Sequence, residues 1–338
     1  MPSPNESRGS ANAPSESSRS WMTRMAIGLA LGLLTFLGFG LWADLGRMGD
    51  AAARFEWIWL LPVLALSLAN YGLRFARWHL YLNAAGIRVP MPFSVGVFLS
   101  GLAMSITPGK LGEILKSALL RDGARIPVAQ SFPVVVTERL ADLVAVLALA
   151  GVGLAAGLGD SGILLAGAGL TVTMFMVLAT GPGTRLTFRM FALLARRKLP
   201  ASAFDQARET QARLWAPVPL VSGIALGTLA WFAEAAGLWV VVQAFPEAGL
   251  ELAPATFIYA VGTLAGALSF LPGGLVATEA TLAVLLAARA FPGVEPAFAN
   301  TLAVASTLLI RLATLWFAVA LGGLGLLWMA ARKRASPP

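Results

Sequence analysis

Ser105-Ile106-Thr107-Pro108-Gly109-Lys110-Leu111 returns in the second half of the chain as Ser269-Phe270-Leu271-Pro272-Gly273-Gly274-Leu275. A second pair follows in the same order, Arg139-Leu140-Ala141-Asp142-Leu143 and Arg311-Leu312-Ala313-Thr314-Leu315. Order and rough spacing are kept, which is the mark of an internal duplication. Each Ser-x-x-Pro-Gly-x-Leu copy interrupts a strongly apolar stretch. Proline removes a helical hydrogen bond and glycine tolerates unusual backbone angles, so each copy reads as the tip of a broken helix.

The surrounding composition sets the solvent. Hydrophobic residues make up 57% of the 338 residues and charged residues 12%, and the mean hydropathy is +0.75. Those values are far from a soluble domain. Several apolar runs approach or exceed the roughly 20 residues that cross a bilayer as a helix, and strand-like alternation is absent. The expected class is an all-α polytopic membrane protein. There is no cysteine and a single histidine, His79, which excludes disulfides, thiolate metal sites and histidine clusters. The net charge of +8 is carried by flanking loops and tails, a membrane-orientation pattern rather than a nucleic-acid face.

Residues 1–23 read as a disordered cytoplasmic tail, because 1–20 are rich in Ser, Pro, Asn and Glu without hydrophobic periodicity. The apolar run after Arg24 is too long for a signal-peptide core and stays as an anchor. Six full spans are expected at 24–45, 57–82, 131–157, 161–180, 216–245 and 300–329. The stretches 93–120 and 254–291 each carry the Pro-Gly break near the middle, leaving pieces too short to span; each reads as a re-entrant helix hairpin. With the N-terminus and C-terminus cytoplasmic, one face holds Arg19, Arg24, Arg88, Arg121, Arg125, the basic run from Arg185 to Arg213 and the tail 331–338. The other holds Asp44, Asp50, Glu56, Asp160, Glu247, Glu251 and Glu295, which satisfies the positive-inside rule. The first hairpin then enters from the cytoplasm and the second from outside. Residues 24–157 and 158–330 become an inverted repeat, with 184–214 as a basic amphipathic segment or an ordinary positive loop.

Broken helices in corresponding positions of two inverted halves point to a substrate site at the membrane midplane. The half-helices after the tips begin near Lys110 and Gly274, so their free N–H groups and positive dipole ends would face the centre. Ionisable residues at bilayer depth cost at least about 2–3 kcal/mol and face partners or wet cavities. The substrate-binding set expected here is Arg311, Glu279, Lys110, Glu113, Arg74, Gly109, Gly273 and Gly274. Arg311 and Glu279 read either as an anion contact with its orienting or proton-exchanging carboxylate, or simply as each other's ion pair. Glu113 reads as a helix cap or a substrate contact. Glu138, Arg139 and Asp142 share a helical face and read as a structural ion network; Glu234, flanked by Trp231 and Phe232, reads as a proton carrier or a packing hydrogen bond. Arg77 and His79 read as snorkelling to the surface. No metal site and no cofactor are expected.

The set Pro108-Gly109-Lys110-Leu111-Gly112-Glu113, Glu138-Arg139-Leu140-Ala141-Asp142 and Leu271-Pro272-Gly273-Gly274 followed by Glu279 resembles the membrane region of the lysylphosphatidylglycerol synthase/flippase family over about residues 24–330. The resemblance implies a translocator that moves lipids between leaflets. The soluble aminoacyltransferase portion of bifunctional members has no counterpart in this sequence, so aminoacylation is not implied. The expected function is lipid translocation, as flippase or scramblase, of an anionic or phosphate-bearing lipid across the cytoplasmic membrane. The alternative is a secondary transporter of a small soluble anion. A membrane enzyme with Glu113, Glu138 or Glu279 as base lacks a Ser-His-Asp set, an Asp-rich metal motif and a nucleotide fingerprint. The expected partners are the membrane lipid substrate, a second copy of the chain and a separately encoded lipid-biosynthetic enzyme, with no nucleic acid.

Overall fold

In the computed structural model the described residues are 16–42, 45–107, 114–155 and 201–335, with scattered positions between 162 and 189. Among them all regular structure is helical. Helix α1 spans Glu16–Trp42 and α2 Leu45–Arg54. A 3₁₀ turn, Trp57–Trp59, leads into α3, Leu60–Ala84. Then come α4, Met91–Leu102, ending in a 3₁₀ turn Ala103–Ile106, and α5, Ile114–Ala124. Helix α6 is Val128–Ala155 and α7 is Ala201–Leu214. Helix α8 is Pro217–Gln243 and α9 Leu252–Leu268. A 3₁₀ turn Pro272–Gly274 separates α9 from α10, Ala277–Arg289. Helix α11, Pro296–Arg311, runs through a π-helical turn, Leu312–Trp316, into α12, Phe317–Ala335.

Among the described residues, three helices are long and apolar enough to cross a membrane: Trp57–Ala84, Pro217–Gln243 and Pro296–Arg332. The expected spans meet α1, α3, α6, α8 and the α11–α12 rod, while 161–180 falls where only scattered positions are described. Two features depart from the composition. Helix α1 begins at Glu16, inside the stretch that reads as tail, and α2 is an additional short helix. Helix α2 turns Ala51 inward, with Phe55 just beyond its end, and leaves Arg47 and Arg54 outside. These arginines pair across to Glu295 (3.4 Å) and Glu247.

Small residues set the packing. Helices α3 and α8 run antiparallel, because residues 81, 77 and 70 of one meet 223, 227 and 230 of the other. A Cβ at Gly223 would sit 1.9 Å from the Tyr81 hydroxyl oxygen, and one at Gly227 2.5 Å from Arg77 Nη1. Asn70 Nδ2 donates to the Ala230 carbonyl at 2.8 Å. Close approach through small residues is how apolar helices gain dispersion contact where water gives no drive.

The two broken units approach from opposite ends. Helix α4 packs antiparallel on α12, with Gly96 against Met329 and Gly322 against Ala103. Helix α9 packs on α6, with Phe257 against Gly153 near the end of α6. Ile106, the last turn before the first break, lies beside Gly273 of the second. The first arm of each broken unit therefore packs on the long helix that follows the other, and the tips touch between the ends of the bundle.

The second tip carries visible strain. Phe270 has φ 53°, Gly273 61°, Gly274 68° and Val276 70°. Glycine adopts these values freely; a β-branched valine there is an outlier held by its surroundings. The amphipathic expectation for 184–214 is described only in part. In α7, Ala203, Ala207 and Leu214 turn inward while Arg208 and Arg213 are exposed. Residues 191–200 lie outside the described residues.

Candidate functional site

Where the second tip meets α3, α6, α8, α9 and the π turn, the bundle holds a partly open cavity of about 350 Å³. Its wall includes Tyr71, Arg74, Arg139, Asp142, Trp231, Glu234, Tyr259, Gly273, Gly274, Arg311 and Thr314. Arg74, Gly273, Gly274, Arg311, Glu234, Arg139 and Asp142 from the sequence reading thus come together at one place. Gly109, Lys110 and Glu113 lie outside the described residues.

Arg311 ends α11 one residue before the π turn and is 8% exposed. Its Nε donates to Glu279 Oε1 at 2.5 Å and its Nη2 to the Gly273 carbonyl at 2.8 Å. Glu279, in the first turn of α10, is wholly buried. A carboxylate there complements the positive end of the half-helix as well as the guanidinium. One side chain therefore ties the last long helix to both the tip and the half-helix behind it.

The neighbouring π turn has a structural consequence. A π turn shifts the hydrogen-bond ladder and often marks functional sites. Here Thr314, inside that turn, presents its carbonyl to the Tyr71 hydroxyl at 2.5 Å, joining α3 to the last rod. The matching motif in the first half, Arg139 to Leu143, lies within α6 without such a turn. Sequence similarity of the two motifs hides this difference.

Glu234 gains a partner that its own segment does not supply. Tyr259 of α9 donates its hydroxyl to Glu234 Oε2 at 2.6 Å. The carboxylate is therefore part of a hydrogen-bonded pair in the cavity wall rather than a partnerless acid. Sequence reasoning missed Tyr259; the signal that could have found it is a phenol, one of three tyrosines in the chain, inside an otherwise apolar stretch.

Arg77 does not snorkel. It is 0% exposed and donates through Nη2 to Asp142 Oδ1 at 2.7 Å. Asp142 also accepts from Trp231 Nε1 at 3.1 Å and pairs with Arg139 at 2.9 Å. Glu138 turns away from this cluster and pairs with Lys116 of α5 at 2.9 Å. The ammonium of Lys116 lies 4.7 Å from the Trp78 ring and 5.4 Å from Phe98. The network expected from Glu138, Arg139 and Asp142 is thus two networks, one at the cavity and one sealed under aromatic rings. His79 stacks on Phe75, with ring centroids 6.3 Å apart.

Asp142→Ala leaves the buried Arg77 without its carboxylate and is expected to cost about 3–5 kcal/mol of stability. The check is thermal unfolding in detergent. Asp142→Asn, which keeps an acceptor for Trp231, should lose less.

The comparisons with known proteins agree with the motif reading. A UPF0104 membrane protein of Methanothermobacter thermautotrophicus is 23% identical over 322 residues, covering 88% of this chain and 93% of the relative. The model of the lysylphosphatidylglycerol synthase TM region matches residues 25–322, from within α1 into α12 and across both broken units. With its apolar helices and both Pro-Gly motifs inside that match, the chain is a membrane-embedded protein that belongs to the lysylphosphatidylglycerol synthase TM region family.

Proposed function

We propose that this protein is a lipid translocator, a flippase or scramblase of the cytoplasmic membrane, which passes an anionic or phosphate-bearing headgroup through the cavity while the acyl chains stay in the bilayer. The observation that carries the reading is the rim of that cavity. Phe270 and Leu271 line it and are 70% and 43% exposed. A charged interior with an exposed apolar rim, placed between the ends of the bundle, suits a ligand that is half headgroup and half hydrocarbon. A soluble anion would be served better by a closed polar pocket.

In this reading the chain is an inverted repeat with two re-entrant hairpins and six spans, both termini cytoplasmic, and the packing of the two broken units supports the inversion. Their tips touch, their first arms cross-pack, and α3 and α8 pair antiparallel. Rocking of the halves about that contact would expose the cavity to each side in turn. Arg311, Arg74 and the Lys110 region then form the anion-facing groups, with Glu279, Glu113, Gly109, Gly273 and Gly274 shaping them. Glu234 is the group for a coupled proton. Catalysis is not part of the proposal, and no cofactor is invoked.

The test is leaflet-to-leaflet movement of labelled phosphatidylglycerol and phosphatidylcholine in proteoliposomes. Movement of the anionic lipid at least about tenfold above protein-free vesicles is expected, a difference of about 1.4 kcal/mol in barrier. Folded protein that moves no lipid, yet takes up a soluble anion such as phosphate, would replace this reading with the soluble-anion transporter.

A further inference from the structure

We propose that residues 269–276 are the gate of the cavity and that Arg311 is its latch, released when a phosphate-type anion competes with Glu279 and the Gly273 carbonyl for the guanidinium. The anion part rests on the translocation reading above; the gate and latch rest on geometry alone.

Four observations converge on this segment. Its backbone is strained at Phe270 and Val276, and strained non-glycine residues persist only where the surroundings impose them. The imposing contacts can be named. Arg311 Nη2 holds the Gly273 carbonyl, and Arg311 Nε holds Glu279 three residues beyond Val276. Behind the tip, Gly266 and Gly274 meet backbone to backbone, a Cβ on Gly274 falling 3.1 Å from Gly266 Cα. Finally, little covers the segment from outside, with Phe270, Leu271 and Val276 all exposed while the first two also line the cavity. A segment that is strained, thinly covered and held to the last long helix by a charged side chain is set to move when that tie is removed.

The first broken unit supplies the contrast. Its ion pair, Lys116 with Glu138, also joins the second arm to the following long helix, with the charges exchanged. Both partners there are at most 2% exposed, and neither lines the cavity. A ligand in the cavity reaches Arg311 and not Lys116. The duplication therefore left one fixed arm and one that responds to the ligand. Arg311 is a ligand contact in this scheme, and Glu279 a positioning residue that holds its guanidinium when the cavity is empty.

The experiment is hydrogen exchange of the backbone amides of residues 269–276, measured on the full chain in nanodiscs. The reference is α4, the first arm of the other broken unit. Glu279→Gln removes the ionic bond and is expected to speed exchange in 269–276 by about tenfold with α4 unchanged. Phosphatidylglycerol nanodiscs should speed the same amides in the native chain relative to phosphatidylcholine nanodiscs, and inorganic phosphate added to the latter tests the soluble source. Speeding by phosphatidylglycerol alone assigns a lipid trigger; speeding by phosphate assigns a free anion. Since exchange is read without transport, failure of lipid movement does not decide it. The native chain keeps the test valid if Glu279→Gln does not fold. Equal exchange in all three conditions and in the variant would overturn the gate. Faster exchange in the variant with no response to either anion would overturn the anion trigger.

Discussion

Arg311→Ala should lower the stability of the folded chain by about 3–5 kcal/mol, the cost of stranding one member of a buried ion pair. Glu279 is 0% exposed and loses the donor 2.5 Å from its Oε1, while the Gly273 carbonyl loses its donor as well. The loss is read as a fall in melting temperature in detergent. The paired replacement Arg311→Met with Glu279→Leu removes both charges, and substituting a buried pair by apolar groups is often neutral or better. It should recover most of the melting temperature and none of the lipid movement. If lipid movement returned along with stability, Arg311 and Glu279 would be scaffold only. Arg311→Lys keeps the charge without the planar fork that reaches Glu279 and Gly273 together, so it should fall between the two.

The second large effect belongs to a methyl group. In Gly322→Ala the new Cβ would lie 2.0 Å from the Ala103 backbone nitrogen and 2.6 Å from its Cα. Backbone cannot step aside as a side chain can, so α12 must leave α4. The expected cost is about 1–3 kcal/mol for overpacking at a minimum. The first tip would also shift against Gly273. Its neighbour is the control. A Cβ on Gly323 meets nothing within 4 Å, and Gly323→Ala should be neutral or should stabilise by about 0.5–1 kcal/mol through helix propensity. Thermal unfolding of the two variants side by side, with lipid movement, is the check. Equal behaviour would mean that α4 and α12 do not pack as closely as the geometry requires.

The same pair of helices shows how far periodicity and composition reach. Hydropathy locates the helices α3, α6, α8 and the last rod to within a few residues, because each is built on a long apolar run. The second Pro-Gly motif locates the turn at Pro272–Gly274, since proline and glycine act through local backbone chemistry; the first, at 108–109, lies outside the described residues. Helix α2 escaped because ten residues alternating between glycine, alanine and charge carry little mean hydropathy; its helix depends on burying Ala51 and on two arginines reaching Glu247 and Glu295.

At the site, residue types were legible and partnerships were not. Charged residues in apolar stretches announce themselves by their cost, so Arg74, Arg139, Asp142, Glu234, Glu279 and Arg311 were all candidates from sequence. Pairing by helical spacing joined Arg139 to Asp142 correctly. It could not find Arg77 for Asp142, Lys116 for Glu138 or Tyr259 for Glu234, which lie 65, 22 and 25 residues away in the chain.

Sequence by itself determined that this chain lives in a membrane, that it is helical, that a Ser-x-x-Pro-Gly-x-Leu motif occurs twice along it, and which family it belongs to. All of these follow from local cost: apolar length, backbone freedom and charge in lipid. Tertiary structure alone decided that the tips touch at Ile106 and Gly273, that Arg311 ties the second tip down, that the last rod opens a π turn for Tyr71, and that Arg77 is buried. Those outcomes depend on which helix faces which. In an interior without water that choice falls to the fit of small residues and the search of each buried charge for a partner, neither of which is written at one place in the chain.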